Sequence, residues 1–163
     1  MITADELRHI LDYDPDTGIF RWRRKISKKT VVGRQAGTTN DQGYIVICIC
    51  RRDYRAHQLA FLYMEGRWPA DKMDHKNLIR SDNSWKNLRE ANSLQNTGNT
   101  KRPRHNKSGV KGVYWDVSRQ KWHAQISVND RSTTLGRFAD IQDAQAAYER
   151  AAIARFGEFA RMD

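Results

Sequence analysis

The stretch Lys72-Met-Asp-His-Lys-Asn77, followed by Ser81-Asp-Asn-Ser-Trp-Lys-Asn-Leu-Arg-Glu-Ala91 and then Ser93-Leu-Gln-Asn96, decides how this chain is read. Asp74 and His75 are adjacent, so on a strand they point to opposite sides. After a polar loop, Leu88 to Ala91 can return as a second strand. Ser93 is suited to cap a short helix that carries Asn96. A strand end and a helix meeting in this way would bring Asp74 and Asn96 together. Their side chains offer oxygen, the donor that Mg²⁺ and Mn²⁺ prefer. Phosphodiester hydrolysis needs such a cation and a base to activate water. His, with an ordinary pKa of roughly 6.5, suits the second task near neutral pH. On spacing alone, the same residues also fit a plain polar loop.

Upstream, Thr3-Ala-Asp-Glu6 is a capping-box pattern, and Leu7, Ile10 and Leu11 follow at helical spacing. Asp14 to Gly18 reads as a turn and Ile19 to Trp22 as a short strand. Arg21 to Arg34 holds seven basic residues and no acid. It fits a segment that follows phosphates, with Arg23 and Arg24 as contacts, or a solvated loop. Gly43 to Cys50 is expected as a strand, Arg51 to Asp53 as a turn, and Tyr54 to Ala56 as the antiparallel return. Alternation puts Cys48 and Cys50 on one strand face, where they read as small apolar core residues. From His57 the period changes. His57, Ala60, Phe61 and Met64 predict a helix that stops at Gly66, with Pro69 beyond it. His57 is expected to be packed and hydrogen-bonded, and Trp68 and Trp85 to be packing residues.

Downstream, residues 97 to 111 contain five Lys or Arg and no acid, with Gly98, Pro103 and Gly109 among them. They read as a basic tether that could lie along phosphates through Lys101, Arg102, Arg104 and Lys111. Gly112 to Val117, Gln120 to Val128 and Ser132 to Phe138 are expected as three strands, with Asn129-Asp130 as a hairpin turn. Asp140 to Arg155 is an Ala-rich helix with a stripe of small residues. By alternation Trp115 and Trp122 should face that helix. Lys121, His123, Gln125 and Ser127 should lie on the opposite face with Tyr114, Ser132 and Thr134.

Bulk properties agree with a polyanion partner. The 163 residues carry 29 Lys and Arg against 19 Asp and Glu, a net charge of +10. Such a chain is drawn to nucleic acid, or to an anionic membrane, by long-range attraction and counterion release. A solvated basic surface is the bland alternative. Sixteen aromatic residues (five Trp, six Tyr, five Phe) argue against disorder. Two Cys without a second pair make no zinc site, and free thiols fit a reducing cytoplasm. No signal peptide or membrane-spanning apolar run is visible, so no membrane partner is expected.

Asp74-His75, the loop Arg80-Ser-Asp-Asn83, Asn87-Leu-Arg89 and Gln95-Asn96 resemble the phage-type HNH nuclease motif, as do Tyr54 to Ala60 and Gly66 to Pro69 before it. The likeness covers roughly residues 10 to 100. It implies a two-stranded hairpin and a helix around one metal. His75 would be the general base and Asn87 would hold the loop that orients it. Asp74 and Asn96 would bind Mg²⁺ or Mn²⁺, Asn96 standing where other members carry a last His. Ser108 to Trp115, Lys121 to Ile126, Leu135 to Phe138, Ala144 to Tyr148 and Phe156 to Ala160 resemble the DNA-binding domain of APETALA-two and ethylene-response factors. That likeness implies a sheet laid in the major groove. The plant groove-facing Arg and Trp are replaced here by Tyr114, Gln125, Ser127, Ser132 and Thr134, so plant specificity does not carry over.

The expected fold is therefore α+β. An HNH ββα-metal nuclease domain (1–100) and a basic linker (101–107) precede a three-stranded antiparallel sheet packed on one helix (108–163). The expected function is metal-dependent hydrolysis of duplex DNA, with site-selective nicking of the homing type, in a bacterial cytoplasm. No small-molecule cofactor is expected. The alternatives are a non-enzymatic, sequence-specific DNA-binding regulator and an RNA-binding module.

Overall fold

The structure, a computed structural model, describes residues 1–128 and 131–162. Over these residues the chain is a mixed α/β protein with four α-helices and several small antiparallel sheets. It divides into two compact units, Met1–Ala91 and Asn92–Asp163.

In the first unit, α1 (Ala4–Ile10) starts on the Thr3–Glu6 capping box, each side chain serving the other residue's backbone N–H. It leads into the hairpin β1 (Leu11–Asp14) and β2 (Ile19–Trp22). The Asp14 carboxylate closes that turn by accepting from the Thr17 hydroxyl and the Asp16 N–H. A second sheet joins β3 (Thr38–Thr39), β4 (Ile45–Ile49) and β5 (Arg52–Arg55). Helix α2 (Ala56–Glu65) follows without a break and ends on Gly66 in the left-handed region. Leu7, Leu11, Phe20, Ile47, Ile49, Leu59 and Leu62 fill the core between these elements. The hairpin β6 (Lys72–His75) and β7 (Leu88–Ala91) completes the unit, with Asp74 paired to Arg89 and His75 to Leu88.

Two expectations around β4 are corrected. Cys48 and Cys50 are exposed, and the buried alternate positions are Ile47 and Ile49. The bulkier β-branched pair takes the core because it removes more apolar surface from water. The tight turn also falls one residue earlier. Cys50 and Arg51 both have positive φ, at 51° and 64°, the requirement of a two-residue type I′ hairpin, and Arg52 already pairs with Ile49.

In the second unit, α3 (Ser93–Gly98) is capped by Asn92 rather than Ser93. The Asn92 carboxamide accepts from the Gln95 N–H and the Gln95 side chain returns the bond. The strands β8 (Val113–Asp116), β9 (Lys121–Val128) and β10 (Arg131–Phe138) form an antiparallel sheet of order β10-β9-β8. Helix α4 (Ile141–Phe156), capped by Asp140, lies against it. Ala124 and Ile126 are buried on the β9 face that carries Trp122, while Lys121 and Ser127 on the other face are exposed. The Asn129-Asp130 turn lies outside the described residues. No helix among the described residues is long and apolar enough to cross a membrane.

Candidate active site

His75 closes β6 and is buried, as is Asp74 before it. Their surroundings are set by the loop between β6 and β7. The Asn87 side chain ties both ends of that loop: its Oδ1 accepts from the Asn77 N–H at 3.0 Å and its Nδ2 donates to the Asp82 carbonyl at 2.7 Å. Asp82 adds a second knot, accepting from the Ser84 hydroxyl and N–H and from the Asn77 carboxamide. Burial pushes the Asp82 carboxyl up, but these bonds outweigh it and hold it below its ordinary value.

Asn83, which sits inside this loop and is 2% exposed, reaches His75: its Oδ1 lies 3.3 Å from His75 Nε2. Its Nδ2 donates to the Ser81 carbonyl, which fixes which end of the carboxamide faces the imidazole. A neutral His75 donating from Nε2 carries its lone pair on Nδ1. Burial lowers the His75 pKa, and the nearby Arg80 charge adds to this. The Asn83 bond and the charges of Asp74 and Asp82 oppose it, and the net shift is downward. The ring is thereby kept in its basic form toward lower pH.

Asp74 lies across the hairpin from Arg89, whose Nε and Nη2 both reach Asp74 Oδ2 at 2.9 Å. The guanidinium fixes one carboxylate oxygen. Among the described residues, no cluster of three or more His, Cys, Asp and Glu side chains could hold a metal ion. An Asp carboxylate with an Asn amide is an oxygen-only donor set, which fits a hard divalent cation better than zinc. Asp74, His75 and Asn87 share the first unit. Asn96, on α3, belongs to the second and is half-buried.

Sequence reasoning misses the groups that ring His75. His57 packs edge to face on it, and Tyr44 lies 5.2 Å from the His57 ring and 6.1 Å from the His75 ring, centroid to centroid. Two exposed guanidiniums, of Arg55 and Arg80, lie 4.6 and 4.9 Å from the centre of the Tyr44 ring. The expectation for His57 is a packed and hydrogen-bonded ring. It is packed, at 3% exposure, but its Nδ1 has no partner among the described residues. Burial, with the charges of His75 and Arg55, lowers its pKa to about 3. The repeated Asn residues of the 77–87 loop are the available signal for an imidazole held by an amide. Nothing local announces the Tyr44 cluster, whose members come from separate elements.

The expected DNA contacts vary in their surroundings. Arg24, Lys101, Arg104 and Lys121 are exposed. Arg23 pairs with Asp12 at 3.6 Å, and Arg102 donates to the Asn106 carbonyl. Lys111, expected in a tether, is instead buried and donates to the carbonyls of Gly98, Thr100 and Arg161. Tyr114 is exposed on one side and bonds His123, which also meets Thr134 at 3.2 Å. His123 is therefore buried rather than open on its strand face, because its neighbours on β8 and β10 close over it. Gln125 is half-buried, and the Ser127 and Ser132 hydroxyls bond each other at 2.8 Å.

The HNH endonuclease family profile matches residues 54–97, from β5 through α2 and the β6–β7 hairpin into α3. Protein 3.8 of Escherichia phage T7 is 32% identical over 75 residues, which is 46% of this chain. The chain spans 61% of that relative's length. No solved structure gives a significant match. Asp74, His75, Asn87 and Asn96 all lie inside the segment that matches the HNH endonuclease family.

Proposed function

We propose that this protein is a metal-dependent endonuclease that hydrolyses duplex DNA, with His75 as the general base. The observation that carries the reading is the arrangement at the end of β6. A buried His75 is hydrogen-bonded by Asn83 in a loop stapled by Asn87, with the Asp74 carboxylate beside it, inside the segment that matches HNH endonucleases. A neutral imidazole held in this way takes a proton from water near neutral pH. Asn83 fixes the ring's orientation, and Arg55 and Arg80 supply positive charge on the same side for a phosphate. Asp74 would help hold Mg²⁺ or Mn²⁺, which supplies charge neutralisation at the phosphate and the leaving oxygen.

The second unit reads as the DNA-holding part, an ethylene-response-factor-like sheet on one helix. Site-selective nicking of the homing type in a bacterial host cell is the biological setting this implies. Exposed Lys101, Arg104 and Lys121 with Arg23 and Arg24 would provide phosphate contacts.

The deciding experiment incubates supercoiled plasmid with the full chain in Mg²⁺, Mn²⁺ or EDTA and separates nicked from linear product on a gel. Nicking that needs the cation and falls by about 10²- to 10⁴-fold in His75→Ala, with duplex binding retained, is expected. Full activity in EDTA, or in His75→Ala, would overturn the proposal. Binding without cleavage under every metal condition would make the chain a DNA-binding regulator instead.

A further inference from the structure

The second unit contains a cavity of about 640 Å³ that the nuclease reading does not use. It is a half-open cleft lined by residues of the 97–113 segment, of β8 and β9, and of α4. That size is typical of a small-ligand site. Trp115, Trp122 and Tyr114 are among its lining residues, as are Lys101, Lys107 and His105. No Asp or Glu lines it among the described residues. A cavity that pairs flat aromatic surface with uncompensated positive charge is complementary to a ligand that is both planar and anionic.

The wall of this cavity is a built structure. Asn106 accepts from the Ser108 N–H and hydroxyl and donates to the carbonyls of Val110 and Val113. Ser108 donates to the same two carbonyls. With the Lys111 ammonium on three further carbonyls, the segment is secured to β8 and to the Gly98–Thr100 backbone. Lys101, His105 and Lys107 are left exposed. The backbone that carries Lys101 and Lys107 is thereby fixed along the cavity.

The aromatic side takes the expected face but is not fully covered there. Trp115 pairs directly with Trp122 across β8 and β9, so both share the face toward α4, and their rings meet at 5.1 Å. The helix nevertheless leaves Trp115 40% exposed, and Tyr114 is 43% exposed. Tryptophan left half open beside a cavity provides a surface on which a base can stack.

We infer that this cavity takes one nucleotide that has left the base stack. Its base lies against Trp115, and its phosphate lies toward Lys101 and Lys107. The same chemistry is offered by an unpaired nucleotide within a DNA strand and by a free mononucleotide. The strand is favoured because Arg102 and Arg104, in the same segment but not among the lining residues, add positive charge beside that of Lys101 and Lys107, as a phosphate chain requires. The inference rests on the second unit alone and holds whether or not His75 cuts DNA.

The test uses the full chain carrying His75→Ala, so that no probe is consumed. Two labelled duplexes of equal length are compared, one fully paired and one with a single unpaired thymidine at its centre. Free dTMP serves as competitor. The duplex with the unpaired thymidine should bind about tenfold tighter, the scale of one base stacked on an aromatic ring. Adding Trp115→Ala should erase that preference and leave the paired-duplex affinity in place, whereas Trp115→Phe should retain most of it. Lys101→Gln with Lys107→Gln, two exposed positions that put no burden on folding, should lower affinity for the unpaired probe more than for the paired one. Equal binding of the two duplexes, or a preference that survives both Trp115→Ala and the double Lys variant, would overturn the inference. Displacement by dTMP without any preference for the unpaired thymidine would assign the cavity to free nucleotides and overturn the strand occupant.

Discussion

His57 meets His75 edge to face, with 5.0 Å between the ring centroids and 87° between the ring planes. Two imidazoles this close and this buried cannot both carry a proton without repulsion. His57, whose Nδ1 has no partner among the described residues and whose pKa is lowered to about 3, is the one kept neutral. In the unfolded chain it would titrate at roughly 6.5. Below that pH the unfolded state binds a proton that the folded state refuses. Stability from this site is therefore complete above about pH 6.5 and is lost as pH falls toward 3. The loss approaches about 1.4 kcal/mol per pH unit for one proton. Denaturant unfolding of wild type and His57→Gln between pH 7 and 4 checks it: the variant should show a flatter dependence on pH. Parallel curves would remove His57 as the acid-sensitive group.

Arg89 and Asp74 form a largely buried ion pair, their side chains 13% and 7% exposed. Arg89→Ala should leave a buried carboxylate without its guanidinium and cost about 3–5 kcal/mol. Asp74→Asn with Arg89→Leu should recover much of that stability without recovering cleavage. Urea midpoints and plasmid nicking on the same preparations test both halves. A loss below about 1 kcal/mol in Arg89→Ala would show the pair to be weak and well hydrated.

Asn87→Ala removes an acceptor for the Asn77 N–H and a donor to the Asp82 carbonyl. These two groups are only partly buried, so each one left without a partner costs at most about 1–3 kcal/mol. The His75 loop should loosen, so cleavage should fall while duplex affinity stays unchanged. Asn87→Asp retains the acceptor but loses the donor, and should be intermediate in stability. Normal cleavage by Asn87→Ala would show that the loop does not position His75.

Arg55 and Arg80 flank Tyr44 beside the paired imidazoles. Arg55→Ala and Arg80→Ala should weaken duplex binding and shift the logarithmic salt dependence by about 0.9 for each phosphate left unneutralised. A Lys at either position should restore part of the affinity, since charge is kept while planar stacking on Tyr44 is removed. Titrations over a range of salt concentration decide it. An unchanged slope would mean that these guanidiniums serve packing alone.

Local pattern makes much of this protein legible. The β6–β7 hairpin, α2 with its Gly66 stop and α4 with its small-residue stripe follow from periodicities a few residues long. Alternation along Tyr44 to Cys50 defines two faces but not which one turns inward, and it misplaces the two thiols in the core. The Cys50-Arg51 turn lacks the glycine or asparagine that normally marks left-handed backbone, so composition points one residue too late. Lys111 reads as a free cation in any sequence, because the carbonyls that hold it come from α3, the segment after it and the chain's last residues. For the same reason His57 against His75, and Arg55 and Arg80 around Tyr44, emerge only when the separate elements fold together.

The β1–β2 turn bears on how far the HNH-like segment can travel by itself. Gly18, at φ 73°, leaves no room for a Cβ against the Asn83–Ser84 backbone. Beside it the Tyr13 hydroxyl donates to the Asn83 carbonyl and Trp85 N–H donates to the Pro15 carbonyl. The loop that sets His75 is thus moulded by residues that lie well ahead of the 54–97 match. A fragment beginning at Tyr54 would inherit the signature side chains without their mould. The folding unit around His75 therefore includes the first twenty or so residues and is larger than the stretch that the family match recognises.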